Sequence, residues 1–93
     1  MTDHYTDFAK LCAGALQEGL LEEYFAFLFT PTELEAIFKR LQLVDALLVP
    51  KMPQREMAQV LNMSIAKITR GSNALKQVSP ALRTFLMEHR GQN

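Results

Sequence analysis

The sequence predicts an all-α fold of six helices in one domain, and three observations point that way. Apolar residues recur at helical spacing nearly throughout, strict apolar/polar alternation never lasts more than a few residues, and two cap-then-proline devices, Thr30-Pro31 and Ser79-Pro80, open helices. With 48% hydrophobic and 22% charged residues and only 4 Gly and 4 Pro, the 93-residue chain is of the packed globular kind rather than disordered or low-complexity. A chain of this length buries only about 60 to 65% of its unfolded surface, so a lone monomer is marginal. Cys12 has no second cysteine to pair with, and 2 His plus that 1 Cys are too few for a closed zinc site, which leaves oligomerisation as the stabilising device. No run approaches the roughly 18 apolar residues of a membrane span, and Asp3 and Asp7 stand where a signal peptide carries positive charge; the expectation is a soluble, cytoplasmic protein.

The first helix is expected from about Asp3 to Gln17, with Tyr5, Phe8, Leu11, Cys12, Ala15 and Leu16 on one stripe and Gly19 near its end. Leu20 to Phe29 follows as a short helix so apolar that its own chain cannot cover it. The third helix has the clearest start: Thr30 caps, Pro31 takes the first helical position where no N–H is needed, and Glu33 bonds back to the cap. Leu34, Ile37, Leu41, Val44 and Leu48 form one stripe along it, and Phe38, Leu43, Leu47 and Val49 a second, which again implies a partner chain. Pro50 and Pro53 end that helix. After the segment treated next, Ser79-Pro80 opens a last helix with Leu82, Phe85 and Leu86 inward, and Gly91, Gln92 and Asn93 form a frayed tail.

The formal net charge of zero conceals an asymmetry. Residues 1–50 carry three basic against eight acidic side chains, a balance of −5, while residues 51–93 carry seven basic against two acidic, a balance of +5. A basic working surface on an acidic body suits nucleic acid.

Within the basic half, Gln54 to Lys76 has the form of a helix-turn-helix. Met57 and Leu61 pack the first helix on the second, and Ala58 is small where the axes cross. Asn62 tolerates the left-handed turn, Met63 plugs the corner, Ser64 caps the second helix, and Ile68 and Leu75 hold it down. Ala66, Lys67, Thr69, Arg70 and Asn73 face outward, short or basic side chains that suit a major groove; the alternative is an ordinary helical hairpin with a solvated face. Gly71 fits badly inside that second helix, where it costs about 1 kcal/mol against Ala. Either something approaches its backbone closely, a ligand or another backbone, or the helix kinks there. Arg40 lies along the apolar row of Ile37 and Val44; it either snorkels or pairs an anionic ligand with an apolar body.

The run Ile68-Thr69-Arg70-Gly71-Ser72-Asn73-Ala74-Leu75-Lys76, with Gln54-Arg55-Glu56 before it and Thr30-Pro31 through Arg40 upstream, resembles the Trp repressor family over about residues 20–90. The resemblance implies an intertwined homodimer of six-helix chains, with a core of about residues 1–49 and 79–90 and DNA-reading heads of about residues 54–77. It implies a repressor of tryptophan-biosynthesis genes that binds a pseudo-palindromic operator with L-tryptophan as corepressor. Arg40 and Arg70 would flank the indole and Arg70 pair the carboxylate. Thr30 and the backbone of Phe27 and Phe29 would meet the amino acid's polar end, and Gly71 would leave room for the ring. Gln54, Arg55, Ile65, Ala66, Thr69 and Lys76 would lie at the groove or its phosphate walls, with Lys67 and Asn73 beside them. Helix-turn-helix dimers, Trp repressors among them, read half-sites one turn apart, about 34 Å.

Three departures stand out against that pattern. Ala74 replaces a serine that helps hold the ligand's amino group, Lys67 and Ala58 replace a threonine and a lysine facing DNA, and Asn62 and Ser64 replace glycines flanking the turn. Ala74 motivates one rival reading, a DNA-binding regulator with a different ligand or none; the apolar second helix motivates another, a protein-interaction module without DNA binding. An enzyme is disfavoured because His4 and His89 lie at opposite chain ends and no carboxylate pair or nucleophile elbow appears.

Overall fold

A computed structural model describes residues 3–48 and 52–90. These residues form six helices: α1 (His4–Gln17), α2 (Leu21–Leu28), α3 (Pro31–Leu48), α4 (Gln54–Leu61), α5 (Ile65–Lys76) and α6 (Pro80–His89). No strand occurs among them. The expectations placed on Val49, Pro50 and the tail Gly91 to Asn93 lie outside the described residues. The chain divides into two compact units, Met1–Ala36 and Ile37–Asn93.

In the first unit, the Asp3 carboxylate caps α1 by accepting from the N–H groups of Tyr5 and Thr6. Gly19, with φ +74°, takes the left-handed turn that leads out of α1, which is why glycine stands there. On α2 the rings of Phe25 and Phe29 meet edge to face at 5.4 Å. The anticipated capping box at Thr30 is present: the Thr30 hydroxyl accepts from Glu33 N–H at 3.1 Å, and Thr30 N–H donates to Glu33 Oε1 at 2.8 Å. No described residue of this unit is buried. Tyr5 is 88% and Phe27 86% exposed, so the apolar stripes are real but uncovered within one chain.

The second unit contains the core. Leu43, Met57 and Ile68 are buried together, and Ala46, Leu47, Met52, Ala58, Leu61 and Met63 pack against them. These are largely the side chains expected to join the two helices of the helix-turn-helix. Ile68 is fully buried, and removing such a side chain from water contributes about 1.5 to 3 kcal/mol.

The last helix is turned differently from the expectation. Ser79 caps α6 by accepting from Leu82 N–H at 3.1 Å, but Leu82 and Phe85 are exposed, and only Leu86 of the three is half-buried. The contacts to the rest of this unit run instead through Arg83 and Leu86 of α6 and Arg90 at its C-terminal cap, spaced three and four apart, with both arginines exposed. The Arg90 guanidinium grips Asp45 of α3 through two hydrogen bonds, Nε to Oδ1 at 2.9 Å and Nη2 to Oδ2 at 2.7 Å, and Arg83 Nη1 reaches the Leu75 carbonyl at 3.4 Å. These anchors set the rotation of α6, leaving Leu82 and Phe85 outside, where the Phe85 ring lies 4.4 Å from the His89 ring at a tilt of 46°.

Candidate functional site

The helix-turn-helix is built by its corner. Asn62 adopts φ 53°, ψ 50° at the end of α4, a left-handed conformation that Asn enters more readily than other residues with a side chain. The chain then turns, and the Ser64 hydroxyl accepts from Lys67 N–H at 3.2 Å to start α5. Along α5, Ile68, Gly71 and Leu75 form the inward row, while Ala66, Thr69, Asn73 and Lys76 form the opposite, exposed row.

All eight residues expected to face nucleic acid, Gln54, Arg55, Ile65, Ala66, Lys67, Thr69, Asn73 and Lys76, are exposed. Two of them meet directly: the Thr69 hydroxyl donates to Gln54 Oε1 at 3.1 Å, joining the first turn of α4 to the reading row of α5. The positive end of the α5 dipole, Lys67 near that end and Lys76 in the last turn make the face suited to phosphate.

Behind that face, also within the second unit, lies a cavity of about 130 Å³ between α3, α5 and α6. Its size fits one small aromatic group, since a comparable 150 Å³ apolar cavity accepts benzene, and is too small for a nucleotide. Among the described residues, Arg40 is the only polar side chain in its wall. Of the residues expected to hold a ligand, Arg40 and Gly71 are brought to this cavity, and Arg70, exposed on α5, stands outside its lining. Phe27, Phe29 and Thr30 belong to the first unit, at the end of α2 and the start of α3. The lining residues that the sequence did not mark as a site are Leu43, Val44, Leu47, Leu75, Val78 and Leu86, and Ala74 lines it as well. Leu43 and Leu47 were visible as one stripe of α3; Val78 carried no signal.

The misfit of Gly71 has a structural cause. α5 runs through it unbroken, so the glycine is no helix break. It is buried, and a Cβ there would lie 2.7 Å from Leu43 Cδ2, closer than real side chains come. The close approach is therefore made by a side chain of α3, and the space above Gly71 is shared between Leu43 and the cavity.

Comparison with known proteins follows the same lines. A family model described as Trp repressor protein matches residues 3–90. A protein of Actinobacillus succinogenes called Trp operon repressor homolog is 42% identical over 92% of this chain and 85% of its own length. Proteins of the same name from Mannheimia succiniciproducens and Chlamydia caviae are each 42% identical, over 94% and 86% of this chain and 86% and 79% of their own lengths.

Proposed function

From the premise that the chain belongs to the Trp repressor family, we propose that it is a DNA-binding transcriptional repressor of tryptophan-biosynthesis genes, acting as a homodimer with L-tryptophan as corepressor. The observation that carries the reading is the left-handed corner at Asn62, beyond which α5 turns the row Ala66, Thr69, Asn73 and Lys76 outward while Gly71 and Leu75 on its other face line a cavity with an arginine in its wall. In this reading, residues 54–77 form the reading head, and residues 1–49 and 79–90 form an intertwined core with the partner. The exposed apolar stripes of α1, α2 and α3, Phe38 at 55% among them, supply the surface such a partner would cover.

The chemistry of the second unit suits the ring and the carboxylate of tryptophan. The cavity takes the ring. Arg40 and Arg70, both permanently charged, flank the ring, and Arg70 pairs the carboxylate.

The mechanism is a shift of population. A ligand held between α3 and α5 favours the orientation of the reading heads that matches successive major grooves, and it tightens operator binding by its differential affinity for that orientation.

The test is anisotropy of a labelled palindromic duplex from a tryptophan-biosynthesis promoter, at fixed salt, with and without L-tryptophan. The reading expects tighter binding with tryptophan. Tight binding that ignores tryptophan would favour a different ligand or none, the alternative that Ala74 in the cavity lining supports, and no duplex binding would leave an interaction module.

A further inference from the structure

The cavity wall is completed by α6, and α6 is held by polar contacts at both ends of one face. Leu86 lies in the wall, Arg90 one helical turn later binds Asp45 bidentately, and Arg83 one turn earlier reaches the Leu75 carbonyl. Asp45 follows Val44 directly, and Leu75 itself lines the cavity. The two anchors therefore fasten α6 to the two helices that form the other walls. We propose that Asp45 and Arg90 are positioning residues for the ligand cavity, a clamp that keeps Leu86 seated between α3 and α5.

The proposal rests on the reading of this cavity as the tryptophan site. Each member of the clamp is about 40% exposed, so a variant of either loses a solvated ion pair and no core packing. The geometry is nonetheless specific: two parallel N–H to oxygen bonds need a planar guanidinium and a carboxylate, which lysine or an amide cannot reproduce. Without them α6 is free to swing from the wall, water enters, and a ring bound there loses its apolar cover.

The experiment measures L-tryptophan affinity by the fluorescence of the bound ligand, against a protein that contains no Trp, together with ligand-free binding to a labelled duplex. The variants are Asp45→Asn, Arg90→Gln and both together. Each single variant should raise the tryptophan Kd about three- to fivefold, the size of a good ion pair, and the double variant should be no worse than either. Ligand-free duplex binding should not change, whereas a generally destabilised chain would lose it in proportion. An unchanged Kd, additive losses in the double variant or a parallel loss of duplex binding would overturn the clamp. A wild-type chain that binds duplex but gives no tryptophan signal would overturn the ligand reading and the clamp with it.

Discussion

Leu43 of α3 lies over Gly71 of α5 so closely that a single added methyl would sit 2.7 Å from its Cδ2 atom. Gly71→Ala gains about 1 kcal/mol of helix propensity, but it pushes Leu43, only 2% exposed, against the core or into the cavity at a cost of about 1 to 3 kcal/mol. The expected result is a net loss of about 1 kcal/mol by denaturant unfolding, with tryptophan affinity reduced more than stability. A variant more stable than wild type with full ligand affinity would show that Leu43 yields freely.

Ile68 should dominate the stability of the reading head. It is fully buried among Leu43 and Met57, so Ile68→Val should lose about 0.5 to 1.5 kcal/mol and Ile68→Ala about 2 to 5 kcal/mol, a large share of the stability of a small domain. Chemical denaturation of both variants measures the gradient.

At the corner, Asn62→Ala should lose about 1 kcal/mol, because alanine meets the left-handed conformation with no compensating polar contact, while Asn62→Gly should stay within about 0.5 kcal/mol of wild type. Thermal unfolding distinguishes the two.

Acid should loosen the starts of two helices. The Glu33 carboxyl is held below the ordinary carboxylate range by the hydrogen bonds from Thr30, its N–H first and its hydroxyl second. Asp3 is likewise lowered, first by the Thr6 hydroxyl at 2.6 Å and then by backbone N–H groups. A depressed folded-state pKa contributes stability that is present above the unfolded value and lost as pH falls through the folded one. Helicity by circular dichroism should therefore decline below the ordinary carboxylate range, and Asp3→Asn with Glu33→Gln should remove that part of the decline.

Much of this molecule was legible because its signals are local. The Thr30 to Glu33 box, the Asn62 turn and the Ser64 and Ser79 caps each involve residues within three or four positions of one another, so the sequence alone carries their chemistry. The rotation of α6 was not legible: it depends on Asp45 and Arg90, which are 45 residues apart, and apolar periodicity alone favoured Leu82 and Phe85. Gly71 was recognised as a misfit, but its neighbour Leu43 belongs to another helix, and only the fold brings them together. Of the cavity lining, Arg40 and Gly71 stood out in the sequence, whereas Val78 and Leu86 are indistinguishable from ordinary packing residues until the cavity is seen.

The response of operator binding to tryptophan in Arg70→Ala, set beside wild type at fixed salt, tests ligand gating most directly. Wild type should bind the duplex about 5- to 150-fold more tightly with L-tryptophan, the usual span of coupling between two sites, and Arg70→Ala should show the same affinity with and without it. An Arg70→Ala protein whose duplex binding still tightens with tryptophan as in wild type would contradict the gating mechanism.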